Sequence, residues 1–178
     1  MRNLVIVAHA DDELLFMGGT LHKYKANGWK IVCVTKDIEH GRDPQFRRLC
    51  KILGADGEIL NFEMGWRPHV PVWDMPVLKG ILADIYSQEE WGHVYTHNAK
   101  GEYGHPQHML VHDAVKSLGV PLRLFGEGHP NAMTSVMLSD EDREFKYASA
   151  DVYTRKAKAI RAYPFFSVPY EKFAEDEQ

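Results

Sequence analysis

The sequence predicts an α/β fold of the Rossmann-like, doubly wound kind: one mostly parallel sheet of about five strands with helices on both faces. Three observations carry this expectation. Short apolar, β-branched runs alternate with amphipathic stretches from the first residues onward. The first runs are apolar on consecutive residues, as in strands covered on both faces. Finally, 178 residues suffice for one sizeable core but not for two ordinary domains, so residues 1–178 are read as a single domain.

Asn3 to Ala8 (NLVIVA) predicts a central strand. His9-Ala10-Asp11-Asp12-Glu13 follows at once and leads into Leu14-Leu15-Phe16-Met17 and Leu21, a helix whose first turn carries acids where its dipole favours them. Lys30 to Thr35 predicts a second strand, Pro44 to Leu53 a helix between a starting proline and Gly54, and Glu58 to Asn61 a third strand. Phe62 to Pro76 carries Gly65, Pro68, Pro71 and Pro76, too many breakers for a regular element, and predicts a loop. Its Trp66, Arg67, His69 and Trp73 suit stacking on a sugar or base, or covering the core. A helix from Val77 to Ser87, a strand around His93 to Thr96, a loop from Asn98 to Gly104, a helix from Pro106 to Leu118 and a strand from Leu122 to Phe125 complete the alternation. Beyond Gly126 the pattern gives an extended piece around Thr134 to Leu138 and a basic helix from Tyr153 to Tyr163.

A net charge of −4 gives no overall attraction to nucleic acid or to an anionic membrane. The Leu4 to Ala8 run is too short for a signal h-region or a membrane span, which predicts a cytoplasmic protein without a membrane anchor; homo-oligomerisation is left open. The two cysteines, Cys33 and Cys50, lack metal-knuckle spacing and are read as reduced core thiols. Ten histidines are many, and His97, His105, His108 and His112 fall in one segment.

That segment and the His9 to Glu13 turn both follow predicted strands, at the sheet end where doubly wound folds build their sites. A His with two carboxylates over one turn can place some ligands on a metal and leave one carboxylate beside it. An acidic turn alone is also an ordinary helix start. With Pro106 opening a helix, His105 sits at its cap and His108 one turn in, so both can face the same crevice. His108 and His112 have zincin spacing, but Met109 stands where that motif needs a general-base Glu; His112 is therefore read as a supporting or buried helix residue.

Ala8-His9-Ala10-Asp11-Asp12-Glu13 together with Tyr103-Gly104-His105-Pro106-Gln107-His108 resembles the LmbE/PIG-L family of zinc-dependent N-deacetylases, whose motifs are Ala-His-Pro-Asp-Asp-Glu and Gly-His-Pro-Asp-His. Ala10 and Gln107 depart from that pattern at positions that are neither ligands nor catalytic groups in it. The resemblance implies that His9, Asp12 and His108 bind Zn2+, with Fe2+ or another divalent metal as alternatives, and that Asp11 is the general base for a metal-activated water. It further implies that a protonated His105, helped by Tyr103, stabilises the oxyanion or protonates the leaving amine. Arg42, in a stretch similar to the family's Arg-x-x-Glu helix, is by position a substrate clamp or a solvated loop residue, and His97 either lines the pocket after the fourth strand or simply ends that strand. The implied substrate is a small molecule: an N-acetylated sugar, nucleoside or nucleotide sugar.

Two other readings compete. His9, Asp11 and His108 could form the facial triad of a non-haem iron oxygenase, though that triad is best known on antiparallel barrels. The architecture alone would also suit a nucleotide-binding module, but no Gly-x-Gly-x-x-Gly follows the first strand.

Overall fold

The computed structural model describes residues 1–36, 42–65 and 72–126, and the backbone of three short strands at 135–137, 165–167 and 172–173. The β-branched run after Met1 forms β1 (Arg2–Val7), followed by α1 (Asp12–Lys23), β2 (Trp29–Lys36), α2 (Arg42–Leu53), β3 (Asp56–Glu63), α3 (Met75–Ser87) and β4 (Trp91–Thr96). A short turn α4 (Gly101–Gly104), helix α5 (Pro106–Lys116) and β5 (Leu122–Leu124) come next; β6 (Ser135–Met137), β7 (Phe165–Ser167) and β8 (Lys172–Phe173) follow.

The sheet order is β3-β2-β1-β4-β5-β8. β1 to β5 are mutually parallel, and β8 adds to β5 in the opposite sense. β6 and β7 pair separately as an antiparallel ribbon, and β6 falls within the extended piece expected around 134–138. The basic helix expected over 153–163, and Trp66, Arg67 and His69, lie outside the described residues.

Side chains alternate across β1 and so build two cores. Val5 and Val7 pack with Leu14, Phe16 and Leu21 of α1 and with Phe46, Leu49 and Leu53 of α2. Leu4, Ile6 and Ala8 pack on the other face with Leu78, Leu82 and Ile85 of α3 and Val111, Ala114 and Val115 of α5. Each fully buried Leu, Ile, Val or Phe stabilises this sandwich by about 1.5–3 kcal/mol. Helices therefore cover both faces, as expected. Trp73 is buried in the second core and donates from Nε1 to the Glu63 carbonyl at 2.9 Å, so its part is to cover the core.

The expected loop over 62–76 is shorter than its breakers suggested. β3 runs on to Glu63, and Pro76 belongs to α3. Proline is tolerated in a first turn, and Asp74 caps that turn by accepting from the Val77 N–H at 3.1 Å. Both cysteines are buried free thiols, and burial, the largest effect on each, pushes both upward in pKa. The chain leaves β1 for β2 on one side and returns as β4 on the other. This reversal opens a crevice at the carboxyl ends of β1 and β4, where the histidines lie.

Candidate metal centre

The end of β1 is clamped from both neighbouring strands. The Ala8 carbonyl accepts from the Thr35 backbone N–H at 3.0 Å and from Thr35 Oγ1 at 2.7 Å. On the other side the Ala8 N–H donates to His97 Nε2 at 2.9 Å. His9 thus leaves a fixed strand end. The chain then folds back: Asp12 Oδ2 accepts from the His9 N–H at 2.8 Å, and the Asp12 N–H reaches the His9 carbonyl at 3.2 Å. This tight reversal sets Asp11 at φ 128°, and its N–H donates to Glu13 Oε2 at 3.0 Å. Among the described residues only Asp11 and Glu102 are non-glycine residues with positive φ, and both lie at this crevice.

Three buried donors converge. His9 Nδ1 lies 3.1 Å from Asp12 Oδ2 and 3.2 Å from His108 Nε2, and His108 Nε2 lies 3.4 Å from Asp12 Oδ2. A tetrahedral zinc site with bonds of about 2.0–2.1 Å has ligand edges of about 3.3–3.4 Å, so the triangle has the size of one face of such a site. The protons also fit. His9 Nε2 faces Gln107 Oε1 at 2.9 Å. That amide is oriented unambiguously, because Oε1 also accepts from the Gly65 N–H at 3.2 Å and Nε2 donates to the Glu63 carbonyl at 3.1 Å. The His9 proton is therefore on Nε2, and Nδ1 keeps its lone pair. His108 Nδ1 lies 2.6 Å from Glu102 Oε2, which puts its proton there and leaves Nε2 open. Burial works to raise the Asp12 pKa, and positive charge on the His108 and His9 side of the triangle, the side a bound cation would occupy, outweighs it and pulls it well down. Two lone pairs and a carboxylate facing one point are the donor set of a divalent cation.

Ligand atoms of His9, His105 and His108, and of Asp12, His97 and His108, also cluster within 4.8 Å. His97 is a poor donor, because its Nε2 receives the Ala8 N–H and its Nδ1 lies 2.9 Å from Glu102 Oε2. It is fully buried. The expected pocket-lining place for His97 is therefore corrected: it is buried behind the triangle of His9, Asp12 and His108. The oxygenase triad is corrected too, since Asp12 and not Asp11 closes the triangle, on a parallel sheet.

The remaining expected residues surround the triangle. His105 caps α5, its ring 4.6 Å from that of His9 and 4.4 Å from that of His108. Burial, followed by the neighbouring His9 and His108, pushes its pKa down to about 3. Its surroundings thus disfavour the protonated form expected of it. Tyr103 is 46% exposed at the mouth, its ring 5.6 Å from that of His108. Arg42, at the start of α2, points Nη1 at Asp11 Oδ2 at 3.7 Å. His112 is buried and donates from Nδ1 to the His97 carbonyl at 2.8 Å, the supporting place expected of it.

Glu102 and Gln107 were missed as site residues by the sequence reading. Gln107 sits between the two motif histidines, a visible signal. Glu102 gave none, because nothing in its spacing shows which way its side chain turns. Burial works to raise the Glu102 pKa, and His97 and His108 outweigh it, pushing it down to about 2.

Residues 4–118 match the family described as PIG-L, GlcNAc-PI de-N-acetylase. The chain belongs to this family. The chain is 28% identical to the 1D-myo-inositol 2-acetamido-2-deoxy-alpha-D-glucopyranoside deacetylase 1 of Saccharopolyspora erythraea, covering 64% of this chain and 52% of that one. It is also 28% identical to an uncharacterized protein of Acanthamoeba polyphaga mimivirus, over 66% of this chain and 58% of the other. The chain thus spans about half the length of the curated relatives it matches. The same fold occurs in the teicoplanin deacetylase Orf2 in its zinc-inhibited form (TM-score 0.66, 16% identity, 88% of this chain and 85% of that one). It occurs also in GalB, the 4-carboxy-2-hydroxymuconate hydratase of Pseudomonas putida (TM-score 0.65, 17% identity, 92% and 83%).

Proposed function

We propose that this chain is a metal-dependent N-deacetylase that hydrolyses the acetamide of a small, sugar-containing substrate, with His9, Asp12 and His108 holding the cation. The carrying observation is the buried triangle of three donors with open lone pairs. Zn2+ suits two imidazoles and one carboxylate, and Fe2+ is the alternative. A fold shared with a hydratase does not select the reaction. The family match and the sugar-deacetylase relatives are what favour an amide.

A divalent cation at the triangle would polarise the amide carbonyl and make water acidic. The chain's residues supply the rest. Asp11 is buried beside the ligands, and as general base it takes the proton of the attacking water. Arg42 Nη1 faces Asp11 Oδ2 at 3.7 Å and can hold that carboxylate in place. His105, neutral, offers an N–H to the developing oxyanion, and the Tyr103 hydroxyl can reach the same oxygen from the mouth. Because His105 has no proton to give as an acid near pH 7, the proton held by Asp11 passes to the leaving amine. Acetate and a free amine result.

N-acetylated sugars, nucleosides and nucleotide sugars are the proposed substrate class. No helix among the described residues is long and apolar enough to cross a membrane. Replacing Asp11→Ala is expected to lower turnover by about 10²–10⁴-fold with metal content retained, whereas His108→Ala loses both. Elemental analysis alongside turnover checks this; equal metal loss in the two variants would contradict the division of roles.

A further inference from the structure

Glu102 is buried on the turn before α5, and no part of the hydrolytic scheme above uses it. Its Oε2 lies between two imidazoles, 2.6 Å from His108 Nδ1 and 2.9 Å from His97 Nδ1. Its Oε1 accepts from the Asn98 N–H at 2.8 Å. One carboxylate thus meets three donors. Two of these donors are fixed independently, the Asn98 N–H and the His97 Nδ1–H, whose ring accepts the Ala8 N–H at Nε2, so both oxygens already accept, and an ionised carboxylate then takes the Nδ1–H of His108 as its third donor.

Each imidazole passes this constraint on. With its proton fixed on Nδ1, His108 presents a bare Nε2 to Asp12 and His9. With its proton likewise on Nδ1, His97 presents a bare Nε2 to the Ala8 N–H, the residue just before His9. The carboxylate therefore touches one ligand directly and reaches the strand end that carries another through a single imidazole. The backbone strain at Glu102, φ 57° and ψ −64°, is maintained by Asn98, whose Oδ1 accepts from the Glu102 N–H at 3.2 Å and the Lys100 N–H at 2.8 Å. Asn98 is in turn tied to the Phe125 carbonyl through Nδ2 at 2.9 Å. Strain that so many bonds hold in place points to a required side-chain position.

We propose that Glu102 is a positioning residue that sets the tautomers of His97 and His108 together, and so prearranges the His108 and His9 arms of the metal site. This rests on the metal-site reading above, but its first test does not need a metal. Long-range proton–nitrogen NMR of the metal-free wild-type protein reads the tautomer of each histidine. The expected result is Nδ1–H for both His97 and His108; Nε2–H at His108 would overturn the proposal.

The second test compares the wild type with Glu102→Gln and Glu102→Asp in competition with a chromogenic chelator for Zn2+. Glutamine keeps the volume but brings an NH2 group, which must face either the histidine N–H groups or the Asn98 N–H. Zn2+ binding is expected to weaken by about 10–100-fold in Glu102→Gln, with His108 losing its single tautomer and Glu102→Asp recovering part of both. Unchanged affinity and unchanged tautomers in a folded Glu102→Gln protein would overturn the proposal. Should Glu102→Gln not fold, the wild-type tautomers decide. A wild type that shows both Nδ1–H tautomers but binds no divalent metal would instead defeat the metal-site reading alone.

Discussion

At the residue scale, ligand identity follows from which nitrogen holds the proton, and that is set by neighbours the motifs do not name. Gln107 fixes His9 by accepting from Nε2 while its amide ties to Gly65 and Glu63. If His9 holds a cation as proposed, a neutral amide would make it a weaker donor than a carboxylate at this position, because a carboxylate acceptor raises ligand basicity. Replacing Gln107→Ala is expected to weaken Zn2+ binding by about tenfold or more, measured by chelator competition, with the fold kept. An unchanged affinity would mean that His9 is oriented by the Asp12 contact alone. The convergence of His9, Asp12 and His108 was legible because few residue types suit the end of a strand that meets a second histidine segment; their part as ligands is the proposal above. The lowered pKa of His105 and the buried place of His97 were not legible, since both depend on what packs around the rings.

At the element scale, β1 to β5 were legible to within two residues or so, because consecutive apolar runs leave few alternatives in a sheet covered on both faces, whereas the short β7 and β8 of the tail gave no such run. Boundaries marked by proline were less so: Pro76 was read as part of a loop, yet it opens α3 under the Asp74 cap. The path from Asn98 to Gly104 was read as a loop, and its tight turn depends on buried bonds from Asn98 and Glu102 that no pattern reveals. Packing of α2 on β3 makes a sharper demand. A Cβ at Gly57 would lie 2.5 Å from Cys50 Sγ and 3.1 Å from Phe46 Cε1. Replacing Gly57→Ala must push α2 from the sheet or force these side chains off their rotamers, at a cost of about 1–3 kcal/mol. Thermal or denaturant unfolding checks this; a variant as stable as the wild type would show that α2 adjusts freely.

At the scale of the whole molecule, the order β3-β2-β1-β4-β5 places the reversal of the chain between β1 and β4, and both histidine-bearing segments meet there. That convergence was legible from the alternation of elements before any contact was known, because doubly wound sheets gather their sites at such a point. The substrate was not legible, since a fold of this kind carries both deacetylases and a hydratase. The most direct test of the central claim is acetate and amine release from a panel of N-acetylated sugars, nucleosides and nucleotide sugars, using protein stripped of metal and then reloaded with Zn2+ or Fe2+. The account predicts equimolar acetate and amine from at least one substrate, lost on stripping and regained on reloading. Release undiminished by stripping, or none from any substrate with folded, metal-loaded protein, would contradict it.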